Sequence, residues 1–303
     1  MKPQDLARIV PMILAAVLCG CGNTRKEPWE TVPVKQGEIE VTRLPDHSGL
    51  RVERIRFFSV EMGEPRFFLA LLPKMDGNFE EILILNHGWF DRPEYLLTEL
   101  KADAAYSRLL ERNAVRPAIV ILPDIRFPDF FRENSDRFPF PNYLTLVAEE
   151  CATVASRHYA VPFDRERWSI GGFSFGGHIA LDVGRRYAGR FSSVSVVSAF
   201  ADDEWTYWPS RQPPPGRLDA KGRGKQTLVA PGPVPRLLLA CGTSDRFFSK
   251  MQGLHQIFMK SNINHDWSQA PGGHTWKYWS TALDQMLPFH LGRETGAARR
   301  AGE

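Results

Sequence analysis

Apolar residues recur along this chain in two rhythms. Within residues 38–43 and 50–60 they alternate with polar ones, as in Leu50-Arg51-Val52-Glu53-Arg54-Ile55-Arg56-Phe57. Alternation with a period of two puts the two kinds of side chain on opposite faces of an extended segment, so both stretches predict half-exposed antiparallel strands. Residues 66–72 form a third, more apolar strand that ends at Pro73. Farther on the alternation disappears, and 81–85, 118–124, 167–170, 193–198 and 235–241 read as largely apolar runs suited to strands covered on both faces. Stretches with helical spacing separate most of them, at 96–113, 142–159, 180–187 and 250–260, and a last strand at 265–269 precedes a last helix at 275–287. Buried strands alternating with helices predict an α/β architecture, in which a mostly parallel central sheet carries helices on both faces and antiparallel strands at its N-terminal edge.

Three segments fall outside that rhythm. Residues 201–232 hold Trp205, Tyr207, Trp208 and several prolines without any period, and read as a long insertion in the domain spanning 38–291. Residues 292–303 form a short basic tail, expected to be disordered. At the other end Lys2 and Arg8 precede or border the apolar run 9–18, which is too short to span a bilayer but has the length of a signal-peptide core. Leu18-Cys19-Gly20-Cys21 follows and resembles the lipobox of bacterial lipoproteins. That resemblance makes 1–21 a signal peptide, Cys21 the lipidated residue, 22–37 a tether, and the protein an exported one held to a bacterial membrane by its lipid. A plain secretory signal or an uncleaved anchor is the alternative.

Composition narrows the function classes. The chain has 303 residues, 43% of them hydrophobic and 24% charged, with a net charge of +3 from interleaved acids and bases, so nothing in it points to a nucleic-acid partner. Cys151 lies in a helical pattern and Cys241 ends an apolar strand, which favours two buried thiols over a disulfide. The eight histidines show no paired ligand spacing, so no metal site is readable and no cofactor is expected.

The chemistry concentrates where a short strand meets a helix. Gly172-Phe173-Ser174-Phe175-Gly176 fits G-x-S-x-G, a sharp turn that exposes a serine hydroxyl at a helix N-terminus. A serine hydroxyl is a weak nucleophile until a base takes its proton, and that base needs a third group to fix its tautomer. Asp245 follows one buried strand and His274 follows the next, so serine, acid and histidine occur in the chain order of α/β-hydrolases. Asp202, Asp203, Asp219 and Asp266 are rivals for the acid.

The chain here resembles the α/β-hydrolase fold and, within it, the putative-esterase family (esterase D-like, feruloyl esterase-like). The carriers are Ser169-Ile170-Gly171-Gly172-Phe173-Ser174-Phe175-Gly176-Gly177, Gly242-Thr243-Ser244-Asp245 and Gly273-His274-Thr275-Trp276-Lys277-Tyr278-Trp279, and the similarity runs from about residue 66 to 287. It implies a carboxylic-ester hydrolase working through an acyl-enzyme, with Ser174 as nucleophile, His274 as base and then acid, and Asp245 as the orienting carboxylate. The expected substrate is a small-molecule or carbohydrate ester. Acyl transfer to another hydroxyl, or an inert binding lipoprotein on the same fold, are the alternatives. Oxyanion donors are expected at the backbone N–H of Phe175 and of Trp89, the latter in Asn86-His87-Gly88-Trp89. The family often places a further glycine soon after that His-Gly pair, whereas this chain continues Trp89-Phe90-Asp91. His87 and His178 read as structural. Phe175, Trp89, Trp205, Trp208 and Trp276 are candidates to line the substrate pocket, or simply to close the core.

Overall fold

The first strands, β1 (Ile39–His47), β2 (Leu50–Ser59) and β3 (Glu64–Leu72), make an antiparallel meander. In the computed structural model, which describes residues 27–75, 77–126, 140–200 and 233–293, this meander is one edge of a nine-stranded sheet. The remaining strands are β4 (Ile82–Asn86), β5 (Ile119–Pro123), β6 (Trp168–Phe173), β7 (Ser193–Val197), β8 (Arg236–Gly242) and β9 (Asp266–Ala270), in the order β1-β2-β3-β5-β4-β6-β7-β8-β9. From β5 to β9 every neighbour pair is parallel, and β3 meets β5 antiparallel. All six parallel strands therefore end at the same edge, where the loops after β4, β6, β8 and β9 meet.

Alternate residues of the central strands feed two cores. Ile84, Ile121, Ile170, Val194 and Leu239 face one side with Leu144, Ile179, Leu254 and Phe258, while Leu83, Leu85, Val120 and Phe173 face the other with Tyr106, Leu283, Met286 and Leu287. The helices that supply these cores are α1 (Tyr95–Thr98), α2 (Ala102–Glu111), α3 (Phe140–Thr145), α4 (Ala152–Tyr159), α5 (Phe175–Arg186), α6 (Phe248–Lys260) and α7 (Trp276–Leu291), with Leu96 and Leu97 coming from α1 and Ala152 and Ala155 from α4.

Two expected helices are interrupted. The 96–113 helix is split into α1 and α2 at Lys101, which takes the left-handed conformation at φ 60°. The Leu100 N–H has already reached back to the Tyr95 carbonyl at 3.0 Å, closing the first helix before the second begins. The 142–159 helix runs through α3 and α4 with a π-helical turn, Leu146–Cys151, between them. Glu150 on that turn accepts the Val60 N–H at 2.8 Å and the Ser59 hydroxyl, fastening the helix to the β2–β3 hairpin.

Polar groups pin the layers together where apolar packing cannot choose a register. His290 of α7 is buried between Ser193 and Ser195 of β7, with Nδ1 2.7 Å from one hydroxyl and Nε2 2.7 Å from the other. Within the stretch expected as a tether, Pro28–Thr31 forms a 3-10 turn whose Trp29 packs edge-on against Phe67 at 5.1 Å beneath the Arg54 guanidinium. Cys151 and Cys241 are both buried free thiols. Among the described residues no helix is long and apolar enough to cross a membrane. Residues 1–21 with Cys21, most of the 292–303 tail and the 201–232 insertion lie outside the described residues.

Candidate active site

β6 delivers the chain to Ser174 at φ 54°, ψ −119°, and α5 begins at the next residue. A non-glycine residue with positive φ is strained, so the turn must be held from outside. It is held closely: a β-carbon at Gly172 would run into the Gly176 carbonyl, and one at Gly176 into the carbonyls of Asn86 and His87. The Ser174 N–H donates to the Val197 carbonyl at 2.8 Å, and the Ser174 carbonyl accepts the His178 N–H at 3.1 Å. The result is a serine at the mouth of the sheet with the first turn of a helix behind it, where the helix dipole favours negative charge.

The loops after β8 and β9 are bonded to each other. The Thr243 N–H donates to Ala270 at 2.9 Å and the Ser244 N–H to Gly272 at 2.8 Å, and a side chain at Gly242 would strike the Gly272 carbonyl. This pairing places Asp245 beside His274, with Nδ1 at 3.0 and 3.1 Å from the two carboxyl oxygens, while Nε2 lies 3.0 Å from the Ser174 hydroxyl. A carboxylate only accepts, so the proton resides on Nδ1 and Nε2 is left to accept from the serine. Burial opposes charge on Asp245, but the hydrogen bond and charge of His274 and the Phe247 N–H at 2.8 Å outweigh it and hold the carboxyl below its ordinary range. The imidazole is clamped edge-on between Phe247 at 5.1 Å and Trp279 at 4.9 Å.

The loop after β4 forms the other wall. His87 is fully buried, accepts the Ile125 N–H on Nε2 at 3.1 Å and donates from Nδ1 to the Gly88 carbonyl at 2.8 Å, tying this loop to the one after β5. Burial depresses its pKa to about 4, so it stays neutral and structural. Glu30 joins the same two loops from the N-terminal turn, reaching Arg92 at 3.2 Å and Arg126 at 2.7 Å. Gly88 comes close enough to Ser174 that a β-carbon there would stand 3.5 Å from Ser174 Cβ. Trp89 follows and packs edge-on against Phe175 at 4.9 Å. Asp91 closes the loop, and burial lifts its carboxyl to about 7 against the pull of a backbone hydrogen bond from Gly88.

Ser174, Asp245 and His274 are thus brought together from three loops, with Phe175 and Trp89 beside them. Asp266 starts β9 opposite Leu238 and is exposed, away from the imidazole. The Phe175 side chain is buried between Tyr143 and Trp89, so it closes the core instead of lining an open pocket. Trp276 packs on Trp279 at 4.9 Å, one ring removed from His274. His178 stacks on Phe200 at 4.2 Å and contacts its carbonyl through Nδ1 at 3.0 Å, fixing the start of the loop after β7. Trp205, Trp208, Asp202, Asp203 and Asp219 lie outside the described residues. Phe247, two residues beyond Asp245, and Asp91, three beyond Gly88, were not singled out from sequence; only their spacing from the motif residues could have pointed to them.

A family model described as putative esterase matches residues 59–290. An acetyl esterase of Caldicellulosiruptor saccharolyticus is 22% identical, over 76% of this chain and 94% of that one. Among solved structures, a ferulic acid esterase superposes with a TM-score of 0.64 at 19% identity, covering 81% of this chain and 98% of that one. A ferulic acid esterase from Anaeromyces mucronatus, solved in complex with ferulic acid, gives a TM-score of 0.59 at 19% identity over 88% and 96% of the two chains. The shared architecture is the α/β-hydrolase fold.

Proposed function

Because the chain belongs to the putative esterase family and is a serine hydrolase of carboxylic esters, we propose that it works through an acyl-enzyme on Ser174, with Asp245 completing the triad. The carrying observation is the unbroken line from Ser174 Oγ through the His274 ring to the buried Asp245 carboxyl, with 3.0 Å on either side of the imidazole. In this reading the hydroxyl attacks the ester carbonyl as Nε2 takes its proton. The N–H groups of Phe175 and Trp89 receive the oxygen that gains charge. Collapse of the tetrahedral intermediate expels the alcohol, which leaves with the proton from Nε2. Water then attacks the acyl group, gives its proton to Nε2, and the acid departs as Ser174 recovers its hydrogen.

Half-buried Phe247 packs on the His274 ring and on Phe200, and half-buried Trp89 packs on Phe90 and on Phe175, the residue after Ser174. Such walls suit a short or flat acyl group, and acetyl and hydroxycinnamoyl esters are the proposed substrates. The lipid anchor at Cys21 remains part of the proposal, checked by mass spectrometry of the mature N-terminus. Turnover of p-nitrophenyl acetate and methyl ferulate by the purified protein tests the reaction. The Ser174→Ala variant is expected to lose kcat by about 10⁴-fold or more, and equal turnover by variant and wild type overturns the mechanism.

A further inference from the structure

The turn after β4 contains a buried acid that the reaction above leaves unused. Residues 88–91 close on themselves: the Asp91 N–H donates to the Gly88 carbonyl at 3.4 Å, and the Asp91 carboxyl folds back over Gly88. The carboxyl sits so near that a β-carbon at Gly88 would be 2.5 Å from its Oδ2, on the same glycine that borders Ser174. Among the described residues no cation pairs with this carboxyl, so ion pairing does not explain its burial at 7% exposure. Inside the turn, Phe90 is held at φ 63°, a conformation that a β-carbon disfavours and that turns ordinarily give to glycine. The usual relief for such a turn is to rotate its central peptide, between Trp89 and Phe90, which turns the Trp89 carbonyl oxygen to the face that the Phe90 N–H had held.

We propose that Asp91 is a positioning residue, a brace whose carboxyl locks the strained 88–91 turn and so keeps the Trp89 carbonyl oxygen turned away from the oxyanion that the Trp89 N–H receives. The proposal rests on the ester-cleaving reading with Trp89 as an oxyanion donor. An unbraced turn can swing an oxygen toward the developing oxyanion. That interaction belongs to the transition state more than to the bound ester, so its loss acts on kcat and spares KM. A brace is what a left-handed phenylalanine needs.

The full-length protein is assayed on p-nitrophenyl acetate. Asp91→Ala is expected to lower kcat by about 10- to 100-fold with KM changed less than about threefold, short of the ~10²–10³-fold lost when an oxyanion donor is removed outright. Asp91→Asn, whose side chain keeps the same shape over Gly88, recovers most of that loss. Phe90→Gly added to Asp91→Ala recovers at least about tenfold, because glycine holds the turn without a brace. A kcat for Asp91→Ala within about threefold of wild type, a loss confined to KM, or no recovery in the double variant overturns the proposal. Should Asp91→Ala alone fail to fold, the double variant is compared with Phe90→Gly: near-equal kcat supports the brace, and a tenfold gap or a second unfolded protein overturns it. Absence of Ser174-dependent turnover in wild type, with no fluorophosphonate labelling of Ser174, instead defeats the ester-cleaving reading itself.

Discussion

His290 offers a test that separates a structural serine–histidine contact from a reactive one. It bonds Ser193 and Ser195 through its two ring nitrogens, as His274 bonds Ser174 and Asp245, but it is buried near the far end of α7, about 20 Å along the helix from His274 at 1.5 Å per residue. Substituting His290→Leu leaves two buried hydroxyls without their partner, at about 1–3 kcal/mol each, for a destabilisation of about 2–5 kcal/mol at pH 7.5. Burial, reinforced by the Arg236 charge, depresses the imidazole from 6.5 to about 3. The unfolded chain then binds the proton more readily than the folded one, so the stability His290 provides is present above pH 6.5 and is lost as pH falls toward 3. At pH 5 that loss is about 1.5 pKa units, or about 2 kcal/mol. The leucine variant has no such proton to bind, so the gap to wild type in urea unfolding should shrink by about 2 kcal/mol between pH 7.5 and pH 5. His87 and Asp91 titrate in both proteins and cancel in the difference. A gap that stays constant or widens on acidification refutes the reasoning. A folded variant as inactive as Ser174→Ala would make His290 part of the catalytic machinery.

Two further outcomes follow from the site and the core. Asp245→Asn keeps the fold but no longer holds the proton on Nδ1 of His274, so kcat on p-nitrophenyl acetate should fall by about 10³–10⁴-fold with the melting temperature little changed; a fall under tenfold would remove Asp245 from its orienting role. Burial pushes the Cys241 thiol up to about 12 and the Cys151 thiol well above its ordinary value, so neither should react with iodoacetamide at pH 8 in the native protein while both react in urea; mass spectrometry of the tryptic peptides reads this directly.

The strands and the serine, aspartate and histidine that meet at their ends were legible because both are written locally. Alternation at 50–57 marked β2 as a strand, but its phase slips at Glu53-Arg54, so Leu50 and Val52 enter one core and Ile55 and Phe57 the other and the strand is not simply half-exposed. Continuous apolar runs marked the central strands, and glycines at 172 and 176 gave the chain room to turn at Ser174. Asp245 and His274 were legible from their places after successive strands, since parallel strands must end at a common edge. What periodicity could not carry was anything set by contacts distant in sequence. The insertion of β5 between β3 and β4, the contact of His274 with Asp245 while Asp266 stays exposed, and the pairing of His290 with Ser193 and Ser195 depend on which surfaces meet when the layers close. The break at Lys101 and the left-handed Phe90 are likewise tertiary outcomes, because local propensity favours neither and only surrounding hydrogen bonds hold them. Chain order thus determined which groups could reach the mouth of the sheet, and packing decided which of them touch.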